Sequence, residues 1–304
     1  MKTSSPEQLA RQQESYIGRF APSPTGPLHF GSLVAAVGSW LQARAHDGKW
    51  LVRIEDIDPP RVVPGAAEQQ LETLRRFGLE PDGAVQYQSQ FDERHQAALN
   101  RLIRSGQAYP CGCSRRDLPP DGIYPGTCRN GLAEGRSPRS IRLRTDRTGP
   151  VTFHDLVQGR QREHPGAHTG DFVIRRADGL IAYQLAVVVD DHDAGITEVV
   201  RGADLIESTA RQIHVYHCLG WQPPRWMHLP LIVDEHGRKL SKSDKDDPVD
   251  RRPAPEALRL ALRALGHEPP APVRNISGML EHALARWSPD RVPRGPVTAE
   301  MHPD

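Results

Sequence analysis

The sequence predicts an α/β protein with a parallel sheet, a small cysteine-rich insert and a short helical C-terminal region. Strand-like and helix-like segments alternate along the first 105 residues, which is typical of parallel strands joined by helices. Residues 110–170 then become rich in Gly, Pro, Arg and Cys, as expected of an inserted module. Apolar strand-like segments return after residue 171, so we expect the sheet to resume beyond the insert.

The chain has 304 residues, with 39 Lys and Arg against 38 Asp and Glu and a formal net charge of +1. This balance excludes a strongly basic nucleic-acid binder as a description of the whole chain, but it allows a local basic surface. No apolar run approaches the roughly 20 residues of a membrane span, and no signal-peptide pattern follows the N-terminus. We therefore expect a cytoplasmic monomer with no membrane partner.

Proline, glycine and apolar spacing set the predicted elements of the first part. Pro22 ends the first strand, and apolar residues recur at intervals of three and four from Leu33 to Leu41, as in a helix that Gly48 closes. The predicted elements are, in order, a flexible tail over 1–15, a strand over 16–20, a helix over 31–46, a strand over 50–54 and helices over about 66–77 and 91–105.

Short apolar runs predict the elements beyond the insert. These are strands over 172–174, 185–189 and 196–200, a helix over about 204–219, a strand over 229–233 and helices near 255–265 and 276–286. The expected organisation is a main domain built from 16–109 and 171–245, the inserted module at 110–170 and a helical region over 246–304.

Two segments have the composition of phosphate-binding loops. The turn from Pro22 to Ser32 precedes a helix, whose free backbone N–H groups and positive dipole end attract anions. The segment 239–243, Lys-Leu-Ser-Lys-Ser, follows a predicted strand and could close on a polyphosphate. Taken singly, the first could equally be a Pro/Gly-rich turn with a serine cap, and the second a solvated charged turn.

Together, the His-x-Gly turn at 29–31 and the lysine-rich loop at 239–243 resemble the two signatures of class I aminoacyl-tRNA synthetases. The segment 18–26 resembles the opening of glutamyl-tRNA synthetases, and 171–176 with 183–204 resembles their amino-acid pocket. The resemblance covers about residues 16–245 and implies a Rossmann-like catalytic core. One departure is Ser32, which stands where many class I enzymes have a second histidine.

The resemblance implies roles for individual residues. His29 and Lys242 would be catalytic, and the residues implied to bind ATP together with Mg²⁺ are His29, Gly31, Ser32, Lys239, Ser241, Lys242 and Ser243. Those implied to bind L-glutamate are Arg19, Ser23, Glu55, Tyr183 and Arg201. Two arginines suit two carboxylates and a glutamate suits an ammonium group, although Arg53–Glu55 and Arg201–Asp204 could instead be ordinary ion pairs.

Three cysteines within eighteen residues, Cys111, Cys113 and Cys128, predict a metal site, because thiolates suit zinc. A structural zinc site normally takes four ligands, which leaves one position to fill. The family resemblance suggests Tyr124, while His154, His164 and His168 are the chemical alternatives. Unmetallated thiols in a loop remain a further possibility.

A run of arginines accompanies the cysteines and could contact tRNA phosphates, or it could be a solvated strand face. Its members are Arg129, Arg136, Arg139, Arg142, Arg144 and Arg147. Alternation with apolar residues predicts that Arg142 and Arg144 share one face of a strand.

Only 61 residues follow Ser243, which leaves no room for the anticodon-binding domain of a full glutamyl-tRNA synthetase. The sequence in this respect resembles a truncated family of paralogues, the glutamyl-Q tRNA(Asp) synthetases. That resemblance implies tRNA-independent activation of glutamate with ATP and its transfer to the queuosine base of tRNA(Asp). The alternatives are a truncated enzyme that charges the 3′ end of tRNA(Glu), a small-molecule nucleotidyltransferase and a zinc-containing RNA-binding module without activity.

Overall fold

The computed structural model of the chain describes residues 15–238 and 248–298. Within these ranges the α-helices are Phe30–Arg44 (α1), Ala66–Arg76 (α2), Asp92–Arg104 (α3), Pro165–His168 (α4), Tyr183–Asp193 (α5), Ile206–Cys218 (α6), Ala254–Ala264 (α7) and Ile276–Leu284 (α8). Short 3₁₀ segments occur at Pro59–Arg61, Gln88–Phe91, Arg115–Asp117, Ala203–Leu205, Val249–Arg251 and Pro289–Arg291.

The strands are Ile17–Phe20 (β1), Lys49–Ile54 (β2), Gln86–Tyr87 (β3), Ala108–Cys111 (β4), Ser140–Leu143 (β5), Val151–Asp155 (β6), Gly159–Glu163 (β7), Phe172–Arg175 (β8), Glu198–Gly202 (β9), Arg225–Leu229 (β10), Ile232–Val233 (β11) and Val297–Thr298 (β12). No described helix has the length and apolar character that crossing a membrane requires.

The main sheet is parallel, as the sequence predicts, except for its edge strand β7, which the sequence analysis did not distinguish. One half has the order β1-β2-β3 and the other the order β7-β6-β10-β9, and β7 is the strand that runs antiparallel to its neighbour. The halves adjoin where the N–H of Thr197 donates to the carbonyl of Ile17 at 2.9 Å. The carboxyl ends of β1, β2, β9 and β10 therefore lie along one edge, where ligands bind in open α/β sheets.

Helix α1 lies in the centre of the largest core cluster. Leu33, Val37 and Leu41 are fully buried, as their spacing predicts, and they share this core with buried side chains of α7 such as Leu258. The indole N–H of Trp287 donates to the side-chain oxygen of Gln42 at 2.7 Å. The predicted C-terminal helices thus pack on the first helix and belong to the same hydrophobic core.

The predicted insert contributes to two different sheets. Strand β5 pairs antiparallel with β4 and with β8, forming a small three-stranded sheet beside the cysteines. The β6–β7 hairpin, which also lies within 110–170, pairs instead with β10 of the main sheet. Residues 151–163 are therefore an edge of the main sheet, although they are distant from its other strands in sequence.

Two strand predictions are wrong. Residues 185–189 lie inside helix α5, whose residues from Leu185 to Asp191 are all buried. A helix buried on every side loses the alternation of polar and apolar faces that identifies it, so its apolar run imitates a buried strand. The strand predicted over 229–233 is divided between β10 and β11, because Pro230 interrupts it.

Replacing Gly48, which links α1 to β2, should destabilise the fold. A Cβ atom at Gly48 would lie 2.6 Å from the carbonyl oxygen of Tyr16, so the backbone would have to shift. We expect Gly48→Ala to lower the free energy of unfolding by about 1–3 kcal/mol, measured by urea denaturation. Gly149→Ala is the matched control: a Cβ atom there meets no atom within 4 Å. Equal effects of the two substitutions would contradict this prediction.

Candidate active site

A cavity of about 460 Å³ opens at the carboxyl ends of β1, β2, β9 and β10. It is lined by all the residues that the sequence implicated in glutamate binding, which are Arg19, Ser23, Glu55, Tyr183 and Arg201. His29, Gly31 and Ser32 from the first phosphate-binding turn line the same cavity. Lys239, Ser241, Lys242 and Ser243, implicated in ATP binding, lie outside the described residues.

The turn before α1 holds His29 against the start of the helix. His29 is the N-cap of α1, and its Nδ1 accepts a hydrogen bond from the backbone N–H of Ser32 at 3.3 Å. The Oγ atom of Ser32 lies 3.0 Å from Nε2 of the same ring. The serine in place of a second histidine therefore contacts the first one, and both residues face the cavity at a helix N-terminus.

Gln70, which the sequence analysis did not identify, fixes the shape of this turn. Its side-chain N–H groups donate to the carbonyls of Ser23 at 3.1 Å and Gly26 at 2.7 Å. Gly26 has a φ of +138°, a conformation that favours glycine. A buried glutamine on α2 thus holds the loop that presents Ser23 to the cavity, and only the packing of α2 on that loop reveals it.

A buried carboxylate, Asp191, joins the two arginines of the neighbouring strands β1 and β2. It accepts two hydrogen bonds from Arg19, at 3.0 Å each, and one from Arg53 at 2.7 Å. Burial alone would raise the pKa of Asp191, but the charges and hydrogen bonds of both arginines outweigh burial and hold its pKa below the ordinary value. Two of the Arg19 nitrogens, Nε and Nη2, are therefore occupied, which leaves Nη1 for a ligand.

Glu55 follows β2 directly and lines the cavity with its side chain 10% exposed. Nη2 of Arg53 donates to it at 3.2 Å, so the ion pair considered from the sequence is present. Burial raises the pKa of Glu55, although Arg53 and Arg19 act in the opposite direction. A cationic group that enters the cavity would restore the preference of this carboxyl for its ionised form.

Arg201 is buried beneath the other side of the cavity and is differently bound. Its guanidinium donates to the ring of His228 at 3.0 Å and to the hydroxyl of Thr209 at 2.9 Å, and its Nη1 lies 3.5 Å from the hydroxyl of Tyr183. Among the described residues no carboxylate oxygen lies within 4.0 Å of the Arg201 side chain. This buried cation therefore lacks a protein counter-ion in the described part of the chain.

His228 and its partner Asp155 are functional candidates that no sequence motif indicates. No motif surrounds either residue, and 73 positions separate them, so only the pairing of β6 with β10 brings them within 2.6 Å. Each is fully buried.

The three cysteines of the predicted metal site meet in a buried cluster. Cys111, Cys113 and Cys128 place their sulfurs within 4.8 Å of one another, so they could hold a metal ion. The Tyr124 hydroxyl lies 3.3 Å from the Cys111 sulfur and 3.8 Å from that of Cys113. Burial opposes ionisation of Cys111, but hydrogen bonds from Tyr124, Cys113 and Arg142 lower its pKa to about 7.

Among the described residues, none of the three candidate histidines belongs to the group that could hold a metal ion. His154 lies on the exposed face of β6, and the ring of His164 caps α4 by accepting from the N–H of Ala167. His168 is paired with Glu163 at 2.8 Å. Of the four residues considered for the fourth ligand position, Tyr124 is therefore the one whose side chain lies beside the cysteines in the described structure.

The arginines near the cysteines mostly have partners within the protein. Arg142 is buried, stacks on the Tyr124 ring at 3.8 Å and donates to the Cys111 sulfur, so it lies on no solvent face. Three others form ion pairs: Arg129–Asp171, Arg136–Asp117 and Arg144–Asp146. Arg139 and Arg147 are exposed and remain available for phosphate contacts.

Comparison with known proteins agrees with this fold. The family "tRNA synthetases class I (E and Q), catalytic domain" matches residues 17–119 and 125–269. A glutamate tRNA ligase from Elizabethkingia meningosepticum, solved in complex with its amino acid, has a TM-score of 0.80 at 24% identity, covering 94% of this chain and 67% of that chain. The fold and the family match together define a class I tRNA synthetase catalytic domain.

Closer relatives specify the branch of that class. A glutamyl-Q tRNA(Asp) synthetase from Xanthomonas campestris is 55% identical over 281 residues, covering 92% of this chain and 94% of the relative. One from Chromobacterium violaceum is 52% identical over 289 residues, covering 93% of this chain and 97% of the relative. The chain therefore belongs to the glutamyl-Q tRNA(Asp) synthetase family, as the sequence motifs predict.

Removing the Asp191 charge should strongly destabilise the fold, because Arg19 and Arg53 would lose their shared buried partner. We expect Asp191→Asn to lower the free energy of unfolding by about 3–5 kcal/mol near neutral pH. Because the pKa of Asp191 is depressed in the folded state, its stabilisation is complete above the ordinary value of 3.8 and is lost as the pH falls below it. The difference between wild type and variant should therefore shrink in strong acid.

Urea denaturation near neutral pH and near pH ~3 measures both effects. Asp178→Asn serves as control, since Asp178 pairs with Arg176 at the surface with its side chain 47% exposed, and we expect no measurable change. An Asp191→Asn variant as stable as this control would refute the role given to Asp191.

Proposed function

We propose that this chain activates L-glutamate with ATP, without requiring tRNA, and transfers the glutamate to the queuosine base of tRNA(Asp). The observation that carries the proposal is the cavity itself. The carboxylate of Glu55 and the buried guanidinium groups of Arg19 and Arg201 face a space beside a helix N-terminus, which Asp204 also lines. This set of groups matches an amino acid that has one ammonium and two carboxylates, next to a polyphosphate.

The order of the strands supports an orientation for the bound glutamate. Glu55 follows β2 and Arg201 lies on β9, on opposite sides of β1, so these two residues are about two strand spacings apart, roughly 10 Å. Glu55 would bind the ammonium group, which keeps the α-carboxylate at the near end of the ligand. Arg201, the buried cation without a counter-ion among the described residues, would then bind the side-chain carboxylate at the far end.

The remaining residues of the pocket complete the amino-acid site. The free Nη1 of Arg19 would donate to the ligand, while Asp191 holds the rest of that guanidinium in place. Ser23 and Tyr183 would supply hydroxyl groups, and the Tyr183 ring would form one wall. Asparagine or glutamine side chains, which carry no second carboxylate, would leave Arg201 buried and uncompensated, which favours glutamate over its amide.

Activation would proceed by direct displacement at phosphorus. An oxygen of the glutamate α-carboxylate attacks the α-phosphorus of ATP, a phosphorus–oxygen bond forms, and the bond to the departing pyrophosphate breaks. His29, the N-terminus of α1 at Phe30 and Gly31, and Lys242 would stabilise the developing negative charge. Mg²⁺ bound with ATP would neutralise the phosphate oxygens, and no protein nucleophile is required.

The other residues implicated in ATP binding would hold the nucleotide. Gly31 allows the phosphates to approach the backbone, and Ser32 keeps the His29 ring in position. Lys239, Ser241 and Ser243 would supply further groups that bind the phosphates.

Transfer would complete the reaction in a second step. A hydroxyl of the cyclopentene ring of queuosine attacks the carbonyl carbon of the glutamyl-adenylate, an ester bond forms and AMP leaves with the electron pair of its former bond. The hydroxyl proton is released to the departing phosphate group or to water. The exposed Arg139 and Arg147 would contribute to contacts with tRNA phosphates. Because tRNA and ATP are its substrates, we place the enzyme in the cytoplasm. We propose separately that it acts as a monomer.

The acceptor can be tested directly with the three tRNAs that separate the candidate functions. The enzyme, ATP and labelled glutamate are incubated with tRNA(Asp) that carries queuosine, with tRNA(Asp) that lacks it and with tRNA(Glu). We expect label only in the first reaction, and nuclease digestion should release it on the queuosine nucleoside rather than on the 3′-terminal adenosine. Label on tRNA(Glu) alone would identify a truncated glutamyl-tRNA synthetase and overturn the proposal.

We further propose that the cysteine cluster binds one structural zinc ion through Cys111, Cys113, Cys128 and Tyr124. Three thiolates suit zinc, and the phenol hydroxyl lies within 3.8 Å of two of the three sulfurs. The ion would hold together a module that has little hydrophobic core of its own, with Leu118 and Leu132 as its partly buried apolar partners.

The catalytic cavity and the cysteine cluster are the basis of the domain organisation that we propose. The catalytic domain would comprise 16–109 and 171–245, the zinc module the part of 110–170 outside the β6–β7 hairpin, and 246–304 the helical C-terminal region.

Zinc content can be measured by elemental analysis of the purified protein. We expect about one zinc ion per chain in the wild type and a complete loss in Cys128→Ser, because two thiolates and a phenol do not make a closed site. Tyr124→Phe should release zinc faster to a chelator, whereas His168→Ala should match the wild type. If His168→Ala lost zinc and Tyr124→Phe retained it, the ligand set would be wrong.

A further inference from the structure

His228 and Arg201 occupy directly opposed positions on neighbouring strands. The register pairs His228 of β10 with Arg201 of β9, so their side chains leave the sheet on the same face. Nε of Arg201 lies 3.0 Å from Nε2 of His228, and the guanidinium also packs over the Trp226 ring at 5.0 Å. The orientation of the Arg201 guanidinium therefore depends on whether the ring nitrogen that faces it carries a proton.

The hydrogen bonds determine which nitrogen of His228 carries the proton. A guanidinium can only donate, so Nε2 of His228 must accept from Arg201 and cannot carry a hydrogen. The proton of the neutral ring then lies on Nδ1, which donates to Oδ2 of Asp155 at 2.6 Å. The hydroxyl oxygen of Thr209 accepts a hydrogen bond from Nη2 of Arg201 and lies 3.2 Å from Nε2 of His228. This contact is consistent with Nε2 acting as an acceptor.

Asp155 is itself held in one orientation. Its Oδ1 accepts from three backbone N–H groups, those of Val157 at 3.0 Å, Gln158 at 2.8 Å and His228 at 3.1 Å. Because Oδ1 is committed to these donors, Oδ2 is the oxygen that meets the histidine ring. The β6–β7 turn thus fixes the carboxylate, the carboxylate fixes the tautomer of the ring, and the ring receives the arginine.

We propose that Asp155 and His228 are positioning residues that set the orientation of Arg201 for the side-chain carboxylate of glutamate. The inference rests on the role of Arg201 in the proposed function. Neither residue lines the cavity, so each acts through the arginine. Hydrogen bonds link Asp155 to His228 and His228 to Arg201. The affinity for glutamate therefore depends on one proton of the His228 ring, which lies on Nδ1, the nitrogen that faces away from the ligand.

Asp155→Asn provides the sharpest test because it changes almost no volume. The amide oxygen must replace Oδ1, since an NH₂ group there would face three backbone donors, and the NH₂ group then faces Nδ1 of His228. The ring proton is driven to Nε2, where it opposes the N–H of Arg201. We expect the KM for glutamate in pyrophosphate exchange to rise about tenfold, while the KM for ATP changes less than about twofold.

A pair of histidine variants gives a second test with its own control. Glutamine reaches the position of Nε2 and can present its oxygen to Arg201, whereas asparagine is too short to do so. We expect His228→Gln to keep the KM for glutamate within about threefold of wild type and His228→Asn to raise it about tenfold. Equal values for the two variants would mean that His228 only fills space, and would overturn the proposal.

Nitrogen-15 NMR of the ligand-free protein separates this proposal from the proposed function. We expect the wild-type His228 ring to be protonated on Nδ1 and unprotonated on Nε2, and Asp155→Asn to reverse this pattern. A wild-type ring protonated on Nε2 would refute the positioning role even if glutamate is the substrate. If the tautomers behave as expected but the wild type shows no glutamate-dependent exchange, the proposed function is the part that fails.

Discussion

The pocket depends on one buried carboxylate shared between two arginines. Asp191 lies on helix α5, while Arg19 and Arg53 lie on adjacent strands of the sheet, so a single charged group joins three elements. Two guanidinium groups this close would repel each other and would each be costly to bury without such a partner. Once Asp191 is in place, both arginines are fixed and Glu55 has a donor that orients it from behind. The cavity therefore takes its geometry from an ion-pair network in which Asp191 and Arg53, outside the cavity, hold Arg19 and Glu55, which line it.

A second constraint comes from the order of the strands. The β6–β7 hairpin joins the sheet beside β10 and carries Asp155 to the point where the sheet meets the cavity. The insert over 110–170 contains both this hairpin and the cysteine cluster. The three-stranded sheet beside the cluster includes β8, the last strand before α5. Asp171, which precedes β8, is fully buried and accepts hydrogen bonds from Arg129 and from Thr145. The insert is consequently joined to the rest of the fold in two places, by strand pairing of β6 with β10 and by strand pairing and ionic contacts around β8.

Local sequence predicted the elements that have a distinct face or a distinct stop signal. Helix α1 was predictable because its core residues recur at helical spacing, and the cysteine cluster because its three cysteines lie close together in sequence. Helix α5 was not, because a helix buried on all sides offers no contrast between faces. The motif residues that line the cavity were found by family resemblance, whereas Gln70, Asp155 and His228 were not. Their importance lies in contacts between segments far apart in sequence, which no local pattern records.

The wall of the cavity also depends on a late part of the chain. Leu231 and Ile232 line the cavity, and β11, which contains Ile232, pairs with β12. The N–H of Val297 donates to the carbonyl of Leu231 at 2.9 Å. During synthesis on the ribosome, which proceeds from the N-terminus, even the last arginine of the pocket, Arg201, is made 96 residues before Val297. A nascent chain can therefore assemble its charged network before this wall receives its supporting strand.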